Sequence, residues 1–238
     1  MNRFFVDNIG PDTALIEGED LKHLSSVLRL KKGDRVMLSD GKGSECEGEI
    51  ERVEPGRAQV KTGPWRPSVS EPHHKITLFQ CLPKTGKMET IIQKCTELGV
   101  NALVPTLSSR CVVQPGKDFE KKLARYRKVA REAAMQSHRG IVPEVLPLVE
   151  LRKADLSLFD TVYVAYEGEK EQSLKRVMAD RPGGCVALFV GPEGGFEPEE
   201  VAILVEKGAK AVSLGPRILR TETAGMAMVA QILFELEE

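Results

Sequence analysis

Over residues 1–62 apolar and polar positions alternate in short runs: "RFFV", "TALIEG", "DRVMLSDG", "GEIERVE" and "AQVKTG". Gly, Asp and Pro separate them. Period-two alternation between turn residues predicts short, half-buried strands. One stretch breaks the pattern. Leu21, Leu24, Val27 and Leu28 recur at helical spacing, with Asp20 placed to cap them. Five or so strands around one helix predict a small β-barrel.

The stretch "TGPWRPSVSEPHHK" has little periodicity and reads as a linker around residues 64–75. Beyond it the period changes. "ITLFQC" predicts a strand, and "GKMETIIQKCTELG" an amphipathic helix with Met88, Ile91, Ile92 and Cys95 on one face and Gly99 at its end. "NALVPTL" is a further strand. A long helix follows Asp118, with Phe119, Leu123, Tyr126, Ala130 and Ala133 inward and a row of Lys and Arg outward. "DTVYVAYEG" and "CVALFV" are strands, "EPEEVAILVEKGA" is a helix, and a short strand then leads into the last helix. Strands alternating with helices predict a parallel sheet covered on both faces. From Ala224 to Phe234 only Gln231 is polar. A helix that apolar is expected to be buried all round, and its small residues invite close approach, so a homodimer with this helix near the interface is expected.

Composition changes this picture little. Hydrophobic residues make up 41%, enough for a packed core, and no apolar run has the length of a membrane span. The first dozen residues lack the apolar core of a secretory signal. Five scattered cysteines without a CxxC or Cys/His cluster argue against disulfides and structural zinc, so a reduced, cytoplasmic protein is expected. Charge distribution says more than the net of −1. Residues 76–140 carry 12 basic and 5 acidic residues, whereas residues 141–238 carry 10 basic and 17 acidic. A basic middle third is compatible with a polyanion-binding face, and equally with a solvated basic helix.

In parallel α/β sheets ligands bind beyond the C-terminal ends of the strands. Three strands end there in unusual loops: "AYEGE" (165–169), "GPEGGF" (191–196) and "LGPRILRTETA" (214–224). The glycines of the middle loop let backbone groups approach a ligand closely. No Lys-Ser/Thr follows, so it is not a phosphate loop, and Glu193 suits a cationic or amine-bearing ligand. The same glycines could serve only as a tight turn.

"HLSSVLRLKKGD", "QKCTELGV", "EAAMQSHR", "GPEGGF" and "LGPRILRTETA", in this order along nearly the whole chain, resemble the RsmE family, bacterial 16S ribosomal RNA (uracil-N3)-methyltransferases of the SPOUT superfamily. The resemblance implies an α/β fold with a PUA-like β-barrel (1–70), then a SPOUT methyltransferase domain (75–238) with a C-terminal trefoil knot, acting on the small ribosomal subunit. It implies S-adenosyl-L-methionine as cofactor and no metal. The pocket would be walled by Tyr166, Glu167, Gly191, Pro192, Glu193, Gly194 and Gly195. Leu214, Gly215, Ile218, Leu219, Arg220, Thr223 and Ala224 would close it, with Ile218 and Leu219 over the adenine.

For methyl transfer to uracil N3 the nucleophile is the obstacle, because N3 carries a proton. A cation beside O2 or O4 would stabilise the developing anion, and Arg220 is placed for this, or for a salt bridge to Glu222 or Glu193. Glu97, Glu222 and a backbone carbonyl are the candidate proton acceptors. N3 lies on the pairing edge, so the target must be unpaired or flipped out. The basic face of the 118–138 helix, with Arg110, Gln136 and Arg139, and Arg3, His23, Arg29, Lys31 and Lys32 in the barrel, are candidates for gripping RNA. An enzyme of the same fold acting on transfer RNA, and a non-catalytic RNA-binding protein, are the rival readings; intact loop glycines and Arg220 argue against the second.

Overall fold

The computed structural model describes residues 1–116, 118–180 and 183–236. It divides into two compact units: Met1–Glu71 with Ala134–Val142, and Pro72–Ala133 with Pro143–Glu238.

The first unit is a curled sheet around one core. Its elements are β1 (Arg3–Phe5), β2 (Asn8–Ile9), β3 (Thr13–Glu17), α1 (Gly18–Lys22), β4 (Arg35–Ser39), β5 (Ser44–Glu54), β6 (Arg57–Thr62) and β7 (Arg66–Pro67). The strand order is β1-β4-β5-β6-β3-β2, with β7 also on β5. Alternate residues point inward, so Phe4, Ile16, Val36, Leu38, Ile50 and Val60 are fully buried together with Leu24. The helix starts at Gly18, so Asp20 lies within its first turn and Glu17 holds the cap position. A π-type turn, His23–Val27, continues it. The stretch expected as a linker is partly built into this unit. β7 pairs with β5, and the Glu71 carboxylate accepts hydrogen bonds from the Gly140 and Ile141 amides at 2.8 and 3.0 Å.

The second unit is an all-parallel sheet. Its elements are β8 (Lys75–Cys81), α2 (Lys87–Leu98), β9 (Ala102–Leu107), α3 (Phe119–Gln136, its end in the first unit), β10 (Glu144–Val145) and β11 (Val149–Glu150). β12 (Thr161–Ala165), α4 (Leu174–Val177), β13 (Cys185–Val190), α5 (Pro198–Glu206), β14 (Lys210–Val212) and α6 (Thr221–Leu236) follow. The order is β10-β9-β8-β13-β12-β14, with β11 also on β9. Alternation along the strands feeds two cores. Ile76, Leu78, Val186 and Leu188 face Met88, Ile91 and Ile92 of α2, Leu123 and Tyr126 of α3, and Met228, Val229 and Ile232 of α6. Phe79, Val104, Val164 and Phe189 face Phe196 and Val201 and Leu204 of α5. The Phe79 and Phe189 rings stack at 4.4 Å. Burying both faces explains the near-continuous apolar strands.

The last helix departs from expectation. Ala224, Gly225, Met228, Val229, Ile232, Leu233 and Leu236 form a buried stripe at helical spacing, while Phe234 is 86% exposed. The apolar run is therefore one buried face and one bare face. No helix among the described residues is long and apolar enough to cross a membrane.

Candidate active site

Register assembles the site. Gln80 of β8 pairs with Val190 of β13, Val190 with Ala165 of β12, and Ala165 with Val212 of β14. Four neighbouring strands therefore end in one row, and the loops starting at Leu82, Tyr166, Gly191 and Ser213 leave side by side. A one-residue slip anywhere would turn apolar side chains to the wrong face, so the cores fix this row.

A hydrogen-bond chain pins the start of α6 to it. The Thr221 hydroxyl donates to the Gly191 carbonyl at 2.6 Å and accepts from Gln80 Nε2 at 2.9 Å. Gln80 is fully buried, and its Oε1 has no hydrogen-bond partner among the described residues. That oxygen lies over Gly225, where a Cβ would sit 3.1 Å from it. Only a small residue lets α6 approach β8 this closely.

An ionic cluster joins three segments at the same end. Lys87, the first residue of α2, pairs with Glu193 of the 191–195 loop at 3.0 Å and with Glu222 of α6 at 3.1 Å. Gly86, with φ of 88°, turns the chain into the helix. Glu193 also accepts from the Lys84 amide at 3.1 Å. Pairing with the Glu193 carboxylate, and then with Glu222, raises the Lys87 pKa. Burial pushes the Glu193 carboxyl upward, but hydrogen bonds from Lys87 and from backbone amides outweigh it and leave it lowered. Glu222 is lowered by its own amide at the helix N-terminus, then by Lys87. Glu193 is thus already neutralised by a lysine, not free to meet a cationic ligand alone.

Arg110 clamps the glycine loop from the other side. It holds Glu197 with two hydrogen bonds of 2.8 and 2.9 Å and donates to the Gly194 carbonyl at 2.8 Å. Glu197 and Glu200 form a capping box at the start of α5, and the Ser109 amide donates to Glu200 at 2.7 Å. Gly195 has φ of 69°, and a Cβ there would run into Glu167 Oε1.

Two adjoining cavities open here, of about 550 and 530 Å³. Ala165, Glu167, Ile218, Leu219 and Ala224 line both. Tyr166, Ser173, Ser213, Leu214, Gly215 and Arg217 line only the first. Lys87, Gly191–Gly195, Arg220 and Thr221 line only the second. Each volume is that of a small-molecule site.

Residues 70–233 match a family model described as RNA methyltransferase domain, and residues 16–62 match one described as RNA methyltransferase PUA domain. The chain is 34% identical over 250 residues to the ribosomal RNA small subunit methyltransferase E of Bacillus subtilis, covering all of this chain and 98% of that one. This chain belongs to the RsmE family. Another RsmE protein, from Neisseria gonorrhoeae, solved bound to S-adenosyl methionine, superposes with a TM-score of 0.87 at 32% identity, covering 98% of this chain and 97% of that one. A methyltransferase from Legionella pneumophila in complex with the cofactor SAM superposes at 0.84 and 30% identity, covering 97% and 96%.

Within this RsmE chain the residues named from sequence separate into three groups. Tyr166, Glu167, Gly191, Pro192, Glu193, Gly194, Gly195, Leu214, Gly215, Ile218, Leu219, Arg220 and Ala224 come together around the cavities. Thr223 is exposed and lines neither, because the first turn of α6 carries it to the solvent side. Glu97 pairs with Lys94 at 2.8 Å near the far end of α2. Ten residues at 1.5 Å each place it roughly 15 Å along the helix from Lys87, away from the chemistry. Arg220 is exposed in the cavity with no ion-pair partner among the described residues, since Lys87 takes both Glu193 and Glu222.

Of the residues expected to grip RNA, Arg139 is buried and Arg3 is half-buried, each held by a carboxylate. Arg139 pairs with Glu71 at 2.6 Å and Arg3 with Glu45 at 2.8 Å, both within the first unit. Arg110 is committed to the glycine loop. His23, Arg29, Lys31, Lys32 and Gln136 are exposed, as are Lys121, Lys122, Arg125, Arg127 and Lys128 of α3. Lys87, Gln80 and Thr221 were missed. Their signal was weak: a polar residue ending an apolar strand and a lysine after a lone glycine have many ordinary uses.

Proposed function

We propose that this protein methylates N3 of a uridine in 16S ribosomal RNA, using S-adenosyl-L-methionine. The observation that carries the reading is the row of four aligned strand ends, whose loops enclose the paired cavities, in a chain of the RsmE family. The site fits that cofactor. Gly191, Gly194 and Gly195 expose backbone where side chains would intrude, and Glu167 suits a ligand carrying ammonium and sulfonium groups. S-Adenosylmethionine supplies an electrophilic methyl on a sulfonium. Tyr166, Leu214, Gly215, Ile218 and Leu219 would hold its adenosine end, and the 191–195 loop would wall the reacting end.

The protein's remaining task is to make N3 nucleophilic. Arg220, beside the cavity and without an ion-pair partner among the described residues, would draw charge onto a uracil oxygen as the proton leaves. The carboxylates Glu193 and Glu222, kept ionised by Lys87 and by backbone amides, are the acceptors within reach of that cluster. The exposed bases of α3 and of the first unit would hold the RNA backbone.

Two further features belong to this reading. β14 lies at the sheet edge, yet α6 packs on β8 and β13 beside α2. The return of residues 213–220 across the strand ends supports a trefoil knot. The bare face of α6 around Phe234 supports a homodimer, and the work would be done in the cytoplasm.

Labelled methyl transfer from S-adenosylmethionine tests the function. Small subunits, naked 16S rRNA and transfer RNA, all from cells lacking the protein, are the acceptors. Label recovered as 3-methyluridine from the subunits or from 16S rRNA is expected. Label only in transfer RNA keeps the pocket and discards the target.

A further inference from the structure

A lysine ammonium has three N–H donors. Lys87 forms two ion pairs, with Glu193 at 3.0 Å and with Glu222 at 3.1 Å; Glu193 lines the second cavity and Glu222 does not. Lys87 nevertheless lines that cavity, with its side chain 26% exposed. The third donor is left for whatever occupies it. Arg220 reaches the same cavity from a different segment, the end of the 213–220 connection. Glu167 and Glu193 are the acidic residues on the same wall.

The geometry of the nucleophile asks for two cations. When N3 of uracil loses its proton, the charge spreads to O2 and O4, one on each side of the nitrogen. A single arginine serves one of them. We propose that Lys87 is a second catalytic cation: its free N–H donates to one of the two oxygens flanking the reacting nitrogen while Arg220 serves the other. This rests on the uridine-N3 reading above. In the step itself the N3–H bond breaks, its proton passes to the Glu193 carboxylate on the cavity wall, and the ring's negative charge is shared by the two oxygens under Lys87 and Arg220; N3 would then form its bond to the methyl as the methyl–sulfur bond of the sulfonium breaks and the sulfur leaves neutral. Glu193 has two roles, then: with Glu222 it holds the ammonium in place, and it takes the proton. A charge fixed in advance costs no reorganisation when the anion forms.

The test uses an acceptor whose nitrogen needs less help. Small subunits are reconstituted with 16S rRNA transcripts containing uridine or 5-fluorouridine, whose electron-withdrawing fluorine makes N3 more acidic. Turnover is measured for the wild type, Lys87→Met and Lys87→Arg. Lys87→Met is expected to lose about 100-fold on uridine, the order seen when one such donor is removed. It should recover at least about a tenth of that loss on 5-fluorouridine, with Lys87→Arg lying close to the wild type on both. The ratio of the two rates within one variant is independent of how much of that variant is folded. A Lys87→Met ratio equal to the wild-type ratio overturns the proposal and leaves Lys87 a structural tie. Wild-type protein that makes no 3-methyluridine overturns the uridine reading itself, and this inference with it.

Discussion

Two arginines that look alike in the sequence have opposite fates. Arg220 stands at the cavity with no ionic partner among the described residues, whereas Arg139 is 3% exposed and locked to Glu71. Replacing Arg220 by Ala should leave cofactor affinity within a few-fold, since its charge is directed at the acceptor. It should lower kcat by about 10²–10³, the usual cost of one transition-state donor. Calorimetric titration with S-adenosylmethionine beside a methyl-transfer assay separates the two; lost affinity with unchanged turnover would sink the assignment. Arg139→Met strands the Glu71 carboxylate in a buried setting and should cost roughly 3–5 kcal/mol in urea unfolding. Acid acts on the ionic cluster. Glu193 and Glu222 lie below their ordinary value of 4.5, so what they contribute to stability is complete above that pH. It is lost as pH falls through the lower folded values. A melting temperature that starts to fall below pH 4.5 in the wild type, and falls less in Glu193→Gln, checks the sign.

Elements were legible in proportion to how long their pattern ran. The alternating runs of the first unit, the α2 and α3 faces and the parallel α/β order all follow from periodicity, because burial on one face or two writes directly into the choice of apolar residues. Position along an element was harder. Glu97 reads as close to the site in sequence motif, yet a helix carries it a turn at a time away from Lys87. Thr221 and Gln80 look unremarkable until strand register brings positions 141 residues apart within 2.9 Å. Arg3 and Arg139 show the same limit, since nothing local distinguishes an arginine that pairs inside from one that faces water. The capping box of α5 makes one such long-range link testable. Glu200 is 1% exposed and holds both the Glu197 amide and Ser109. Glu200→Ala should cost about 2 kcal/mol, from the cap and the orphaned amide together. It should also weaken cofactor binding, because Arg110 and Glu197 share that corner with the glycine loop. Destabilisation without any change in affinity would mean that the corner supports α5 alone.

At the scale of the whole molecule the open question is what covers α6. A chain with 41% hydrophobic residues has no shortage of material for its own cores, and the buried stripe of α6 is already satisfied against α2 and the sheet. Phe234 at 86% exposed sits on the opposite side of that stripe, with the partly buried Ala227 and Ala230 on the same helix. A bare phenylalanine beside small residues lets a second helix come close, and a large apolar side chain of this kind is the sort of anchor that dominates an interface. The self-complementary solution is a two-fold pair, in which each α6 meets its copy. Wild-type protein is therefore expected to run as a dimer in light scattering at micromolar concentration, and Phe234→Glu as a monomer with an unchanged circular dichroism spectrum. The functional assay adds the decisive comparison. If the monomeric variant still binds S-adenosylmethionine and methylates at the wild-type rate, each copy's cavities are complete alone. If affinity falls in the monomeric variant, the bare face of α6 is part of how the neighbouring 213–220 connection is held in shape. A wild-type protein that is monomeric at all concentrations removes the pair from the account and leaves Phe234 as a solvent-exposed residue of a single chain.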